Sequence, residues 1–381
     1  MRVVHVAVAA PTTAVFLVAD RFAVVLARNA LRVVDVRDPA APVGLTLHDV
    51  VHAAAVHDHP AFVTVDRLGT LARWELRGGA WAKAAAIADQ RCERGVVASP
   101  SGRFAVLDGS HAALVDLDAG RVVTELPGMR VTARPCFARD AGDRELLFVA
   151  APSYMDVRVI DAAAGVDRAR HEHAAESFCH VAFRLAAGGT RLVAFGCMWG
   201  GAYEAVIYDV GAWLAAATPP IRLPGRLATF APIAGNVQLA LDVAADGVRC
   251  TSACLEAPAD LAPDDDGDVP VDLERLRTTE PDLARALEAQ AGGPGQALIV
   301  RAVDPVSGRT TAAAVHPVPA VPEAHIHYAD DHRVVLVGAR LLVCDAHGAR
   351  VDHGPVVRPD GAHSCVTRDA TIVVIASGPE R

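Results

Sequence analysis

Histidine is the residue type with the clearest potential for chemistry in this chain. The sequence contains 16 histidines, and two segments repeat one spacing, His325 with His327 and His171 with His173. Strand residues two positions apart lie on one face, because successive side chains point to opposite faces. Imidazoles that converge in this way could hold Zn²⁺ or Fe²⁺ with an open position for water. The preferred interpretation is simpler: these histidines bond to backbone carbonyls or line a wet surface.

Other reactive residue types follow no recognisable catalytic pattern. The sequence has eight cysteines but no CxxC pair, and Cys250 and Cys254 lack a second ligand pair at zinc spacing. Most cysteines stand in apolar runs, which predicts reduced, buried thiols. Cys179 and His180 are neighbours, so on a strand they point to opposite faces and cannot form a dyad. No GxSxG elbow or phosphate-binding glycine loop occurs, and catalytic residues are not assigned.

The acidic run at residues 264–268 is interpreted as a solvated loop. A calcium loop starting at Asp264 would need glycine where Val269 stands, and it would need glutamate at its twelfth position. The sequence therefore predicts no metal and no cofactor.

A glycine-rich segment, residues 196–210 (GCMWGGAYEAVIYDV), places Trp199 and Tyr203 on either side of Gly200 and Gly201. Large, partly polar rings are enriched where proteins bind each other, so both aromatics are candidate partner contacts. The favoured alternative is a long hairpin whose rings cover a sheet edge.

Composition limits the class of protein. Of 381 residues, 52% are hydrophobic and 21% are charged, which provides a large core and excludes global disorder. The net charge of −9 argues against a nucleic-acid binder. No apolar run is long enough for a membrane span. Residues 2–8 fit a strand better than a signal peptide, and a cytoplasmic protein is expected.

A repeated unit must position these residues. Strands that end in an acidic residue recur at Asp35, Glu75, Asp116, Asp161, Asp209, Asp304 and Asp345. Their separations are 40, 41, 45, 48, 95 and 41 residues, mostly near the period of propeller blades. Glycine turns follow four of the acids, and a second class of turn precedes several of them. This pattern predicts four antiparallel strands per unit, with the acids accepting hydrogen bonds from their turns.

The long separation contains the one region without strand character, residues 261–295. Its acidic and proline-rich edges surround a predicted helix with Thr279 as N-cap, Asp282 at the capping-box position and Gly292 as the stop. Leu283, Leu287 and Ala291 form its apolar stripe. The segment is too short for a core of its own, so it is predicted to be an insertion within blade six.

The repeats predict an all-β, seven-bladed β-propeller, with eight blades as the alternative. Residues 1–381 would form a single domain, closed by pairing N- and C-terminal strands. The units resemble WD-repeat-like bacterial propellers: Trp74–Glu75 approaches the WD dipeptide, and residues 30–43 (ALRVVDVRDPAAPV) are similar to a short bacterial propeller repeat. The Gly-His pair usual in that family is absent.

Two functions follow as hypotheses. The first is a non-catalytic scaffold for protein–protein interaction, with another protein as partner and with Trp199, Tyr203, Leu283 and Leu287 as contacts. The acidic surface favours a basic or neutral partner. The alternative is a propeller hydrolase, lyase or oxidoreductase that uses channel residues on innermost strands, possible metal ligands being His52, His180, His325 and His363. The oligomeric state stays open, a monomer among the options.

Overall fold

The structure is a computed structural model, and it describes most of the chain. The described residues are 1–38, 40, 44–126, 134–140, 142–150, 157–171, 178–188, 191–198, 203–209, 226–230, 240–243, 250–256, 273–290, 296–318, 324–329, 333–359 and 361–378. The chain divides into two compact units. The first comprises Met1–Ala174, Ala217–Arg222 and Arg358–Arg381, and the second comprises Ala175–Ala216 and Leu223–Val357.

The described residues of the first unit form four four-stranded sheets and one three-stranded sheet. The four-stranded sheets are β2 (Thr12–Val18), β3 (Phe22–Ala27), β4 (Ala30–Asp35) and β5 (Leu45–His48); β6 (Val50–Ala55), β7 (Ala61–Asp66), β8 (Leu71–Arg77) and β9 (Ala80–Ile87); β10 (Gly95–Ala98), β11 (Phe104–Asp108), β12 (Ala113–Asp116) and β13 (Arg121–Glu125); and β14 (Cys136–Arg139), β15 (Glu145–Ala150), β16 (Val157–Asp161) and β17 (Val166–His171). The three-stranded sheet has the order β1 (Arg2–Ala7), β31 (Ile372–Ser377) and β30 (His363–Val366).

In the described part of the second unit there are three four-stranded sheets and two helices. Its sheets are β18 (Phe178–Gly188), β19 (Arg191–Met198), β20 (Tyr203–Asp209) and β21 (Arg226–Phe230); β22 (Ala240–Val243), β23 (Cys250–Glu256), β24 (Gln296–Val303) and β25 (Thr310–Val318); and β26 (His325–Tyr328), β27 (Arg333–Val337), β28 (Arg340–Asp345) and β29 (Arg350–Pro355). Its helices are α1 (Leu273–Thr279) and α2 (Pro281–Gln290), and both lie between β23 and β24.

Each four-stranded sheet is an antiparallel meander of consecutive strands, as the repeat predicts. Where side chains are described, the second strand is largely buried, as in β11 (FAVLD), and the fourth strand is more exposed than the second, as in β29 (RVDHGP). The strand-end acid lies opposite the start of the second strand, so that Asp116 pairs with Phe104 and Asp35 with Phe22.

The predicted role of the strand-end acids is confirmed at Asp35, Asp116, Asp161, Asp304 and Asp345, whereas Glu75 pairs with the side chains of Arg73 and Arg77. Asp116 Oδ1 accepts hydrogen bonds from the backbone N–H groups of Asp118 and Ala119, both at 3.0 Å. Asp161 and Asp345 bond their own turns in the same way. The glycine that follows takes a positive φ, +65° at Gly120, which a residue with a side chain rarely adopts.

The two ends of every meander are distinct because its strands alternate in direction. We call the end that holds the first-to-second and third-to-fourth turns the carboxylate end, since Asp35, Asp116 and Asp161 lie there. We call the other end, where each first strand begins and each second strand finishes, the entry end. In the first unit it includes Asp66 at the end of β7 and Asp108 at the end of β11.

The terminal strands pair, as predicted: β1 runs parallel to β31, with Arg2 opposite Ile372 and Ala7 opposite Ser377. Blade number, ring closure and a single domain over residues 1–381 stay predictions.

The insertion lies within the sixth four-stranded sheet in chain order, between its second and third strands. A helix forms at Pro281–Gln290, but the predicted N-cap is wrong. Thr279 is the last residue of α1, and Pro281 opens α2, where its missing N–H costs nothing. The carbonyl of Glu280 accepts the first bond, from the N–H of Ala284 at 3.0 Å, which makes Glu280 the cap.

Candidate functional site

The four candidate channel histidines all lie on edge strands. His52, His180 and His325 lie in the first strand of their four-stranded sheets, β6, β18 and β26, and His363 lies in β30, an edge strand of the three-stranded sheet. His52 and His363 belong to the first unit, and the other two belong to the second. The side chain of His180 lies outside the described residues. A shared strand position agrees with the repeat, but it does not by itself make a site.

His52 stands beside a group of charged residues at the entry end of the first unit. Burial lowers the pKa of His52, and the backbone oxygen of Glu93 and the charge of Asp108 partly offset that effect. Arg94 Nη2 lies 3.1 Å from Asp108 Oδ1 and donates to the carbonyl of Gly109 at 3.2 Å. We call His52, Glu93, Arg94 and Asp108 the His52 cluster.

Asp108 is the acid of the His52 cluster whose pKa is raised. Its side chain is 13% exposed. Burial raises the pKa of Asp108, although Arg94, Arg134 and His52 oppose the shift. A carboxylate held in this way favours a hydrogen-bond donor or a positive charge beside it. Asp108 was not predicted from the sequence. The repeated acids end the third strand of each unit, whereas Asp108 ends a second strand and so falls outside that pattern.

The other two channel candidates whose side chains are described, His325 and His363, have surroundings of their own. The rings of His325 and His327 have centroids 6.1 Å apart and are nearly perpendicular, at 83°. Burial lowers the pKa of His363, and the charge of Arg358 acts in the same direction. Among the described residues no three His, Cys, Asp or Glu side chains converge as a metal site.

Burial keeps the described thiols protonated. Cys92, Cys136, Cys250, Cys344 and Cys365 are free. Burial raises the pKa of Cys92 to about 11 and that of Cys136 to about 12. A thiol with so high a pKa is a poor nucleophile at neutral pH. All five are free, and the predicted burial is met at Cys250, Cys344 and Cys365, whereas Cys92 and Cys136 are half-buried.

A second feature of the entry end is the turn Asp66–Thr70, here called the Leu68 turn. Leu68 is 85% exposed, the highest value among the exposed large hydrophobic residues of the described chain. Asp66 Oδ1 accepts hydrogen bonds from the N–H of Leu68 at 2.9 Å and from the N–H of Thr70 at 2.7 Å. The turn therefore has little freedom of its own.

Neighbouring connections hold the Leu68 turn on two sides. The N–H of Arg67 donates to the carbonyl of Asp49 at 2.9 Å, and the N–H of Gln90 donates to that of Gly69 at 2.8 Å. Gly69 has a φ of +79°, and a Cβ there would lie 2.4 Å from the carbonyl oxygen of Gln90. The segment DRLGT carried the signal for this turn, an aspartate with a glycine three residues later, but its exposed leucine depends on packing.

The four predicted partner contacts have different outcomes. Trp199 lies outside the described residues, and of Tyr203 only the backbone, at the start of β20, is described. Leu283 and Leu287 lie in α2 and are 3% and 1% exposed. Their side chains pack within the second unit, so they offer no open contact surface in this state.

The repeated four-stranded meanders define an all-β protein of the β-propeller class. Solved structures with a similar fold include the C-terminal WD40 domain of Sif2, at 9% identity, a TM-score of 0.57, and coverage of 97% of this chain and 96% of that one. A second is Atg21, solved with a coiled-coil of Atg16, at 10% identity, a TM-score of 0.55, and coverage of 91% and 100%. Sqt1 of Saccharomyces cerevisiae has 10% identity and a TM-score of 0.51, with coverage of 86% and 81%.

At such identities the similarity shows the fold alone, that of WD40-type β-propellers. No protein-family model and no curated protein matches the sequence. Within the described chain, no helix combines the length and apolar character needed to cross a bilayer.

Proposed function

We propose that this chain is a non-catalytic propeller scaffold that binds another protein through the entry end of its first unit. The observation that carries the proposal is the Leu68 turn. Isolated exposed leucines are common, but the backbone of this one is fixed by hydrogen bonds to Asp66 and to two neighbouring connections. A preordered turn loses little backbone entropy when its apolar side chain binds, which suits an interface anchor.

The surroundings of Leu68 support a protein partner. Exposed charges of both signs stand in the neighbouring connections, Arg67 and Arg91 with Asp49 and Asp89. An apolar centre with a mixed polar rim is the usual anatomy of a protein interface. The charge around Leu68 is balanced, which agrees with a basic or neutral protein partner. Such a surface gives no concentrated positive field that would attract nucleic acid.

The wider proposal keeps a seven-bladed, cytoplasmic, bacterial propeller whose loops serve binding. The similar fold of Atg21, solved with a coiled-coil, supports protein binding by such a fold in general. Trp199 and Tyr203 remain proposed contacts.

A pull-down from the native host with three chains tests the scaffold. Leu68→Ser should lose proteins that the wild type enriches, while its free energy of unfolding should change by less than about 0.5 kcal/mol, because the side chain is exposed. Val306→Ser is the matched control, since Val306 is 54% exposed in a turn of the other unit. Equal capture by all three chains, or no protein enriched by the wild type, would refute the proposal.

A further inference from the structure

Arg134, just before β14 in the first unit, is accessible to solvent and yet desolvated by the protein around it. The residue is exposed, but burial lowers the pKa of its guanidinium. A side chain that combines solvent access with desolvation lies in a recess and not on an open surface. Among the described residues, Asp108 is the acid whose charge acts on Arg134, and no hydrogen bond joins the two side chains.

The strand β10 brings Arg134 close to Asp108. Arg134 Nη2 donates to the carbonyl of Val96 at 3.3 Å, and the neighbouring Gly95 pairs with Asp108 across the β10–β11 ladder. Asp108 has its own ion pair, because Arg94 Nη2 lies 3.1 Å from its Oδ1. A carboxylate held by one guanidinium leaves the second guanidinium, that of Arg134, without an ion pair among the described residues.

His52 approaches β10 from the preceding sheet, while Arg134 approaches it from the following one. The strand β6 packs against β10, and the imidazole of His52 bonds the backbone oxygen of Glu93. Burial lowers the pKa of His52, so the ring is uncharged at neutral pH. The Glu93 carboxylate is exposed and occupied by Ser110, whose Oγ donates to Oε1 at 2.6 Å and whose N–H donates to Oε2 at 3.1 Å.

The charges in this recess do not balance. Arg94 and Arg134 each carry one positive charge, Asp108 carries one negative charge, and one positive charge is therefore left over. The exposed Glu93 offsets little of it, because water and salt screen its charge. A partly desolvated charge without an ion pair is costly, so one added negative charge stabilises the recess.

We propose that the recess around Arg134, Arg94 and His52 binds the carboxylate group of a small monocarboxylate, with Arg134 as the main partner. A carboxylate supplies the single negative charge, and its two oxygens match the planar fork of a guanidinium. A phosphate monoester carries about 1.5 to 2 negative charges at pH 7 and would place an excess beside Asp108. The site is separate from the Leu68 turn, and neither proposal depends on the other.

Fluorine NMR of trifluoroacetate mixed with the full chain tests the site. The resonance of this monocarboxylate should broaden when it binds, and added acetate should narrow it again by competition. Arg134→Gln keeps a donor for the carbonyl of Val96 but removes the charge and the fork, so the affinity should fall by at least about tenfold. Arg121→Gln, at an exposed arginine of β13 in the same unit, is the matched control and should change the affinity by less than about twofold.

Denaturant titration separates binding from a structural role. In chloride buffer Arg134→Gln should unfold at the wild-type midpoint or above it, because the variant loses a desolvated charge that has no ion pair. Acetate at equal ionic strength should raise the midpoint of the wild type and leave that of Arg134→Gln unchanged.

Three results would overturn the inference. The first is equal broadening of trifluoroacetate by the wild type and Arg134→Gln. The second is a lower midpoint of Arg134→Gln in chloride buffer, which would make Arg134 a structural residue. The third is stronger competition by inorganic phosphate than by acetate, which would contradict a monocarboxylate site. The Leu68 pull-down decides the scaffold function independently of all three.

Discussion

The two ends of the first unit use charged side chains for different purposes. At the carboxylate end Asp116 is 1% exposed, bonds the turn that follows it, and pairs with Arg103 at 2.8 Å. At the entry end Asp108 pairs with Arg94, but burial raises its pKa, and the most exposed leucine lies in a neighbouring connection. Carboxylates hold turns at both ends, as Asp116 and Asp66 do, but the entry end also carries a carboxylate with a raised pKa and a leucine exposed to solvent.

This difference indicates which end of the first unit is better suited to bind a ligand. A carboxylate that already accepts hydrogen bonds from its turn has few remaining acceptor positions. A buried carboxylate with open acceptor positions, or a leucine exposed to water, can still contribute binding free energy when a ligand contacts it. The entry end is consequently the better candidate for function, and the carboxylate end is the better candidate for stability.

The largest expected effect is at Glu145, on the carboxylate end. Its carboxylate accepts hydrogen bonds from the N–H and Oγ of Ser101, both at 2.7 Å, and from Oγ of Ser99 at 3.1 Å, with a side chain 8% exposed. Glu145→Gln replaces one acceptor with a donor and should lower the free energy of unfolding by about 3 kcal/mol. Denaturant titration measures this.

The control is Asp143→Asn in the same turn region, where the side chain is 79% exposed. It should change the free energy of unfolding by less than about 0.5 kcal/mol. If both substitutions had the same small effect, charges at the carboxylate end would not be holding the turns.

The next effect tests how firmly the Leu68 turn is held. Gly69→Ala must accept a φ of +79° and a contact with the carbonyl of Gln90. Gly78→Ala shares the left-handed backbone, with a φ of +58°, but nothing lies within 4 Å of its added Cβ. Gly69→Ala should therefore lower the free energy of unfolding by about 2 kcal/mol more than Gly78→Ala. Equal costs would show that the turn is free to move away from Gln90.

The repeat could be predicted from sequence because its signals are local. An apolar strand, an acid and a glycine turn suffice to place Asp116 and Gly120, and the structure confirms both. The helix start was misplaced because Thr279 is a good cap by type, whereas Pro281 starts the second of two helices. Local sequence preferences identify residue types that suit an N-cap. They do not decide which of several nearby residues takes that position.

The candidate site could be predicted only in part. The first-strand position of His52 follows from the repeat, but Asp108, Arg94 and Glu93 come from another sheet and meet it through packing. The exposure of Leu68 and the burial of Leu283 likewise depend on which surfaces the sheets and helices cover. The periodicity of the sequence predicts the strand and the face on which a side chain lies. Which residues of other sheets surround that side chain can be seen only in the three-dimensional structure.

The smallest expected effect is a difference in pH dependence between Asp116 and Asp108. Burial pushes the pKa of Asp116 upward, but Arg103 and the backbone N–H groups of its turn outweigh burial and hold the pKa below 3.8. Burial raises the pKa of Asp108 above 3.8. The native state thus binds fewer protons than the unfolded state at Asp116 and more at Asp108.

The two acids should consequently contribute opposite slopes. The stabilisation that ionised Asp116 provides is present above pH 3.8 and is lost as pH falls through its lower native pKa. Asp116→Asn should therefore make the free energy of unfolding fall less steeply as the pH is lowered. Ionised Asp108 lowers the free energy of unfolding above its raised pKa, and this destabilisation disappears as pH falls toward 3.8. Asp108→Asn should therefore make the free energy of unfolding fall more steeply as the pH is lowered. Denaturant titrations between pH 3 and pH 7 measure both slopes. Slopes of the same sign would mean that the two ends do not differ in how they hold a carboxylate.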